Sequence, residues 1–178
     1  MQKEHSDHTP GKHKFPLCYL ATDIRTPSNV GGLFRIADAL GVERIYLAGE
    51  SLVPPNSKIR KVSRSTEQLI PYQYECDALK IAQRLKAEGY RIICLEITSS
   101  SVELSQTPVE EGDKVCLVLG SEKAGVTEEL LEIADATVHI PMQGVNSSMN
   151  VTSACAIASY ELLRKITPKL PTKSSRVQ

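Results

Sequence analysis

From Pro16 onward the chain alternates between two patterns. Short runs are apolar at almost every position, and longer stretches are apolar only at every third or fourth residue. Pro16 to Ile24, Arg91 to Ile97 and Lys114 to Leu119 are of the first kind, and such runs suit strands covered on both faces by helices. Asn29 to Leu40, stopped by Gly41, and Asp77 to Glu88, closed by Gly89, are of the second kind and predict helices. In the latter, Leu79, Ala82 and Leu85 fall at helical spacing. Shorter strands are predicted at Arg44 to Ala48, Leu69 to Tyr74 and Thr137 to Ile140, and a short helix at Thr127 to Ala134. After a Pro-Pro turn, Ser57 to Gln68 is basic and reads as partly helical. The last helix is predicted from Ser148 to Lys165, and small residues (Ser153, Ala154, Ala156, Ala158, Ser159) in its first half permit close packing. No internal repeat or break in composition interrupts residues 15–165. The reading is one α/β domain over 15–166 with a mostly parallel sheet flanked by helices, a flexible arm at 1–14 and a basic tail at 167–178.

Composition changes this picture only at the margins. With 178 residues, 41% hydrophobic and 24% charged, the chain has the size and balance of one ordinary globular domain. Aromatics make up only 4% and Trp is absent, which argues against an RNA reader built on stacking platforms. Net charge is zero, so attraction to a polyanion must come from local clusters. One cluster is Lys58, Arg60, Lys61 and Arg64; the other is Arg164, Lys165, Lys169, Lys173 and Arg176. A solvated face or tail is the plain alternative for each. The five dispersed cysteines form no C-x-x-C and read as reduced core thiols, and His5, His8 and His13 match no ligand pattern. No metal is expected. Neither a signal peptide nor a membrane-length apolar run is visible, so a soluble cytoplasmic protein is expected.

Three segments break the rules of a plain α/β core, and such departures mark candidate sites. The first is Thr26-Pro-Ser-Asn-Val-Gly-Gly-Leu-Phe-Arg35. Ser28 or Asn29 can cap the helix that begins there, and Gly31 and Gly32 sit in its first turn, where alanine would be about 1 kcal/mol more stable. Arg35 leans back over Gly31, and the missing side chain lets the guanidinium or a ligand approach the backbone. Close helix–sheet packing with a surface arginine is the competing explanation. The second is Leu119-Gly-Ser-Glu-Lys-Ala-Gly125, at the carboxyl end of a buried strand, where ligands bind in open α/β sheets. An ordinary turn with a capping Glu122 is its alternative. The third is Ile140-Pro-Met-Gln-Gly-Val-Asn-Ser-Ser-Met-Asn-Val151, in which Ser148 is a natural N-cap and Asn150 falls in the first turn of the last helix. Free N–H groups there can hold a carboxylate or oxyanion, or simply be well capped. No G-x-G-x-x-G is present, so a dinucleotide fold has no fingerprint to rest on.

In combination the segments resemble the three motifs of the SpoU branch of the SPOUT methyltransferases, also called the TrmH family. The first appears as Asn29-Val-Gly31 followed by Arg35, the second as Gly120-x-Glu122-x-x-Gly125, and the third as Ile140-Pro-Met-x-Gly144 followed by Ser148-Met-Asn150-Val. The likeness extends over roughly residues 16–165. It implies a C-terminal trefoil knot, a rare exception to unknotted chains. It further implies a homodimer and S-adenosyl-L-methionine (AdoMet) bound in the knot as co-substrate. By the same resemblance Leu95, Glu96, Gly120, Ile140, Ser148 and Met149 line the AdoMet site. Arg35 matches the family's catalytic arginine, and Asn29, Glu122, Ser148 and Asn150 its polar set around the ribose.

The implied reaction is methyl transfer to the 2′-hydroxyl of a tRNA or rRNA ribose, with no metal, and Lys58, Arg60, Lys61 and Arg64 gripping RNA phosphates. Departures from the motifs are mild: Ser121 where Asn is common, Val126 for a bulkier aliphatic, and Met149 where Leu is frequent. The sizeable extra RNA-binding domain of some relatives is not present in these residues, which leaves recruitment to the dimer surface, the basic patch and the tails. A neutral guanidine is an awkward base because its pKa lies above about 12. Arg35 is therefore read as positioning the substrate and stabilising the developing alkoxide, and its action as a general base stays open. Rival readings are a SPOUT enzyme methylating a base nitrogen, a catalytically idle RNA-binding factor that keeps the knot, and a generic doubly wound nucleotide-binding domain.

Overall fold

Strands that read as continuously apolar must be buried on both faces, and the three richest runs occupy adjacent central places in one sheet. They are β1 (Phe15–Thr22), β4 (Tyr90–Leu95) and β6 (Lys114–Leu119). The computed structural model describes residues 14–145 and 148–168. With β2 (Val42–Ala48), β3 (Tyr72–Glu75), β5 (Val102–Glu103) and β7 (Ala136–His139), it forms a seven-stranded sheet in the order β3-β2-β1-β6-β4-β7-β5. Every pairing is parallel. Leu17, Tyr19 and Ala21 of β1 face one apolar layer, while Cys18 and Leu20 face the other. Two-sided burial thus accounts for the absence of polar alternation.

The first layer is completed by α1 (Pro27–Leu40), α2 (Ser57–Ser63) and α5 (Val151–Ile166), and the second by α3 (Ala78–Ala87) and α4 (Glu128–Ile133). A short 3-10 turn at Thr66–Gln68 follows α2. Gly41 ends α1 in the left-handed conformation, φ 70°, as its place in the sequence predicted. Asp77 caps α3 by accepting from the Lys80 amide. Four of the five cysteines are buried, Cys76 is exposed, and all are free thiols.

The structure revises several expectations. Helix α1 starts at Pro27, with Thr26 at the N-cap and no side-chain cap, so neither Ser28 nor Asn29 caps it. Pro27 suits that first position because its missing N–H would have had no helical partner. Helix α5 starts at Val151, not Ser148, and Asn150 is its N-cap, accepting from the Thr152 amide at 2.9 Å. The glycines of α1 serve packing, as the competing explanation held, though between helices rather than against the sheet. A Cβ on Gly31 would lie 2.8 Å from the Ile59 carbonyl oxygen of α2, and one on Gly32 would lie 2.7 Å from Thr152 Cγ2 of α5. The space beside Gly31 is therefore filled by α2 and not open to a ligand. The two-residue strand β5, exposed at the sheet edge, is too short to announce itself by alternation. Residues 1–13 of the arm expected at 1–14, residues 146 and 147, and residues 169–178 of the tail expected at 167–178 lie outside the described residues.

Candidate active site at the carboxyl edge of the sheet

Parallel strands present all their carboxyl ends at one edge, and the chain opens a cleft there. A cavity of about 980 Å³ lies between the segments that follow β4, β6 and β7 and the start of α5. Leu95, Leu119, Ile140 and Met149 supply apolar wall, while Glu96, Glu122 and His139 bring polar groups to it. Gly120, Ser148 and Asn150 also line it, so every residue predicted for a cofactor reaches the same space.

Two glycines shape the loop after β6. Gly125 is left-handed at φ 68°, and a Cβ on it would strike the Glu96 carboxylate. Gly120 lies so close to the far limb of its own loop that a Cβ would sit 2.1 Å from the Gly125 carbonyl carbon and 2.3 Å from the Val126 nitrogen. Gly120 thus lets the loop fold on itself, with Ser121 and Gly125 exchanging both backbone hydrogen bonds at 3.0 Å. Glu96 ties the loop to β4: its carboxylate accepts from the Val126 amide at 3.0 Å and the Ile97 amide at 2.9 Å. Below it, burial in the first place and the Glu96 charge in the second push the Cys94 thiol up to about 12.

A chain of polar side chains runs from the cavity rim to α1. The Thr26 hydroxyl donates to Glu122 Oε2 at 2.8 Å, and Asn29 Nδ2 donates to Glu122 Oε1. Asn29, only 4% exposed, accepts in turn from Asn150 Nδ2 at 3.1 Å, so both ends of its amide are satisfied. Asn150 uses its own oxygen to cap α5. Residues 93 and 121 positions apart in sequence are thereby locked into one constellation. The cap, the strand-end loop and the first turn of α1 hold each other in place.

Of the residues predicted for catalysis, Glu122, Ser148 and Asn150 border the cavity and Asn29 braces two of them from behind. Arg35 does not join them. It is exposed on α1, is absent from the cavity wall, and makes no hydrogen bond or ion pair with any described residue. With about 3.6 residues per turn, position 35 projects between positions 31 and 32. Arg35 therefore stands in a trough whose sides are α2 at Gly31 and α5 at Gly32. Lys58, Arg60, Lys61 and Arg64 are exposed on α2 and its C-cap, also away from the cavity.

Sequence reasoning missed Thr26 and His139. Thr26 occupies the N-cap slot before a proline, a position that carries a hydroxyl for capping; here the hydroxyl serves Glu122 instead. His139 ends β7 at the cavity, and its Nδ1 lies 2.9 Å from Ser101 Oγ. Its position at a strand's carboxyl end was the available signal.

The model of the SpoU rRNA methylase family matches residues 16–160. The tRNA (guanosine(18)-2′-O)-methyltransferase of Escherichia coli K12 is 30% identical over 148 residues, covering 80% of this chain and 60% of the enzyme. A mouse relative, the tRNA (guanosine(18)-2′-O)-methyltransferase TARBP1, is 32% identical over 157 residues, 87% of this chain but 10% of that protein. The chain thus spans less than two thirds of either relative. Among solved structures, the AdoMet-bound rRNA methyltransferase of Sinorhizobium meliloti superposes with a TM-score of 0.78 at 26% identity, over 89% of this chain and 59% of that one. Family model, sheet and motif positions agree: the chain belongs to the SpoU rRNA methylase family.

Proposed function

We propose that the chain is an AdoMet-dependent methyltransferase acting on a ribose 2′-hydroxyl of tRNA or rRNA. The observation that carries this is the convergence of all the predicted cofactor residues on one cavity, joined to the buried Asn29 by the Glu122–Asn29–Asn150 chain. The cavity fits the co-substrate: its volume of about 980 Å³ suits a nucleoside-sized ligand, and it combines apolar walls with a few fixed polar groups. Leu95, Ile140 and Met149 would cover the adenosyl group, and the loop from Gly120 to Gly125 would close beside it. Bound there, AdoMet supplies a sulfonium methyl that is already a good electrophile.

The protein's task is then alignment and charge handling. Alignment alone is worth about 7–11 kcal/mol in favourable cases. Glu122, held on both oxygens by Thr26 and Asn29, fixes the rim at which the ribose must sit. Asn150, its oxygen capping α5 and its amide braced on Asn29, lines the same rim. Arg35 stabilises the developing alkoxide, and its five-donor fork can also engage a neighbouring phosphate. Since Arg35 stands outside the cavity of its own chain, the proposal includes a homodimer in which the trough on α1 meets the site of a second copy. The small-residue start of α5, with Ile157 and Tyr160 exposed further along, supports such an interface.

The proposal also includes a trefoil knot at the C-terminal part. It is supported by the return of the chain from the edge strand β5 to the centre at β6 before β7 pairs on the far side of β4. The basic residues of α2 would bind RNA phosphates. Location in the cytoplasm belongs to the same proposal, and among the described residues no helix is long and apolar enough to cross a membrane. The test is ribose-methylation mapping of total RNA from cells with and without the gene. A 2′-O-methyl lost with the gene and restored by the wild-type chain is expected. An unchanged ribose map together with a lost base methyl would favour the base-nitrogen alternative.

A further inference from the structure

The segment between Asn56 and Glu75 builds a surface that lies apart from the methyl-transfer cavity. Lys58, Arg60, Lys61 and Arg64 are all exposed on or beside α2, and none forms an ion pair or side-chain hydrogen bond with a described residue. The one acidic side chain from Ser57 to Gln68 is Glu67, which accepts from the Ser63 hydroxyl. In a chain of zero net charge this is a concentrated positive field.

Next to it lies β3, the edge strand of the sheet. Tyr72 and Tyr74, two positions apart, point to the face that α1 and α2 cover. They are 39% and 48% exposed. Tyr72 meets Phe34 of α1 edge-on, ring centroids 5.6 Å apart, and Gly31, one turn earlier on α1, touches α2. Helix α1 therefore links the basic helix to Tyr72, and Tyr74 lies on the same face of the sheet. Both rings are fixed by their hydroxyls: Tyr72 donates to the Pro54 carbonyl at 3.2 Å and Tyr74 to the Gly49 carbonyl at 2.9 Å.

Half-exposed aromatic rings held in place, on the face that also carries the unpaired cations of α2, complement a strand that offers phosphates and unstacked bases together. A duplex offers only the former. Scarce aromatics argue against recognition resting mainly on stacking, yet two of the six tyrosines are gathered at this edge. We propose that the β3–α2 edge is a second RNA site, at which an unstacked base of a single-stranded segment stacks on Tyr74 while α2 holds the flanking phosphates. This rests on the reading of RNA as the substrate.

The experiment measures anisotropy of a fluorescein-labelled single-stranded RNA and of a blunt duplex of the same sequence, without AdoMet, over a range of salt. Tyr74→Leu should weaken single-strand binding about tenfold with an unchanged salt slope, and should leave duplex binding near wild type. Tyr74→Phe loses the same hydrogen bond but keeps the ring, so it should bind like wild type and controls for folding. RNA carrying 5-iodouridine should crosslink to the peptide containing Tyr74. Single-strand affinity of Tyr74→Leu equal to wild type, or crosslinks confined to peptides outside 53–75, would overturn the site while leaving the methyltransferase reading intact. A wild-type chain that methylates no RNA and binds neither probe would overturn both. Loss of self-association in Tyr74→Leu with RNA binding unchanged would give this face to a second copy instead.

Discussion

The cavity at the strand ends and the outer stripe of α1 meet at Asn29, yet they are built on opposite terms. Around the cavity, polar side chains are engaged within the chain: Thr26 and Asn29 hold Glu122, Asn150 holds Asn29, and Glu96 holds two amides. On the outer stripe, Arg35 and the cations of α2 engage no described residue. A preorganised pocket costs little reorganisation when a ligand enters, whereas a row of exposed, unpaired cations is left available to a partner of opposite charge. The difference separates what one chain completes by itself from what it must find elsewhere. Mutations on the two sides should accordingly fail in different ways.

The largest effect is expected at Arg35. Arg35→Ala should lower the methyl-transfer rate by about two to four orders of magnitude and leave AdoMet dissociation little changed, because the side chain lies outside the cavity. Arg35→Lys should rescue poorly, since an ammonium lacks the planar fork. Rapid-quench kinetics beside calorimetric titration of AdoMet measures both quantities, and a matching loss of AdoMet affinity would erase the division between the two regions.

Next comes Gly120→Val, which sharpens the other side of the comparison. The added side chain meets the backbone of Gly125 and Val126 rather than empty cavity, so the loop must open. Both AdoMet affinity and thermal stability should fall, and wild-type values for both would show that the loop is not braced as described. Glu122→Ala is expected to be milder. It leaves the buried Asn29 amide without its acceptor, at about 1–3 kcal/mol of stability by chemical denaturation.

How much of this was legible in the residues follows the same division. The central strands were readable because burial on both faces leaves no polar positions, and the loop after β6 and the segment before α5 because glycines and polar groups gather there, whereas Leu95, Glu96, Ile140 and Met149 were reached only through the family resemblance. The start of α5 was misplaced by three residues. Ser148 and Asn150 both favour the N-cap by type; the structure gives the cap to Asn150, which also bonds the distant Asn29, a partner that local spacing does not reveal. The role of Gly31 and Gly32 was hidden for a related reason. A helix sequence carries no record of which neighbour presses on it, and here the next helix and the last one do. Thr26 was overlooked because its partner is 96 positions away.

A smaller effect is expected from the α2 cations. Replacing Lys58, Arg60, Lys61 and Arg64 by alanine should flatten the salt dependence of RNA binding, by up to about 0.7–0.9 in logarithmic slope for each phosphate no longer neutralised, with AdoMet affinity unchanged. An unchanged slope would return this face to ordinary solvated surface. The smallest effect concerns the core thiols. Burial raises Cys94 and Cys155 to about 12 from an ordinary value near 9, so the folded chain keeps protons that the unfolded chain releases as pH rises. Their contribution to stability is full below about pH 9 and lost progressively as pH rises from about 9 to about 12. Alkylation at neutral pH should label Cys76 ahead of these two, and comparable labelling of Cys94 would contradict its burial.

The central claim is that the constellation at the carboxyl edge methylates a ribose oxygen. It is tested most directly by a single turnover with AdoMet carrying a labelled methyl group. The substrate is unmodified RNA from cells lacking the gene, and the product is digested to nucleosides. The account predicts label in a 2′-O-methyl nucleoside with the wild-type chain and almost none with Arg35→Ala. Label on a base, or full transfer to ribose by Arg35→Ala, would contradict it.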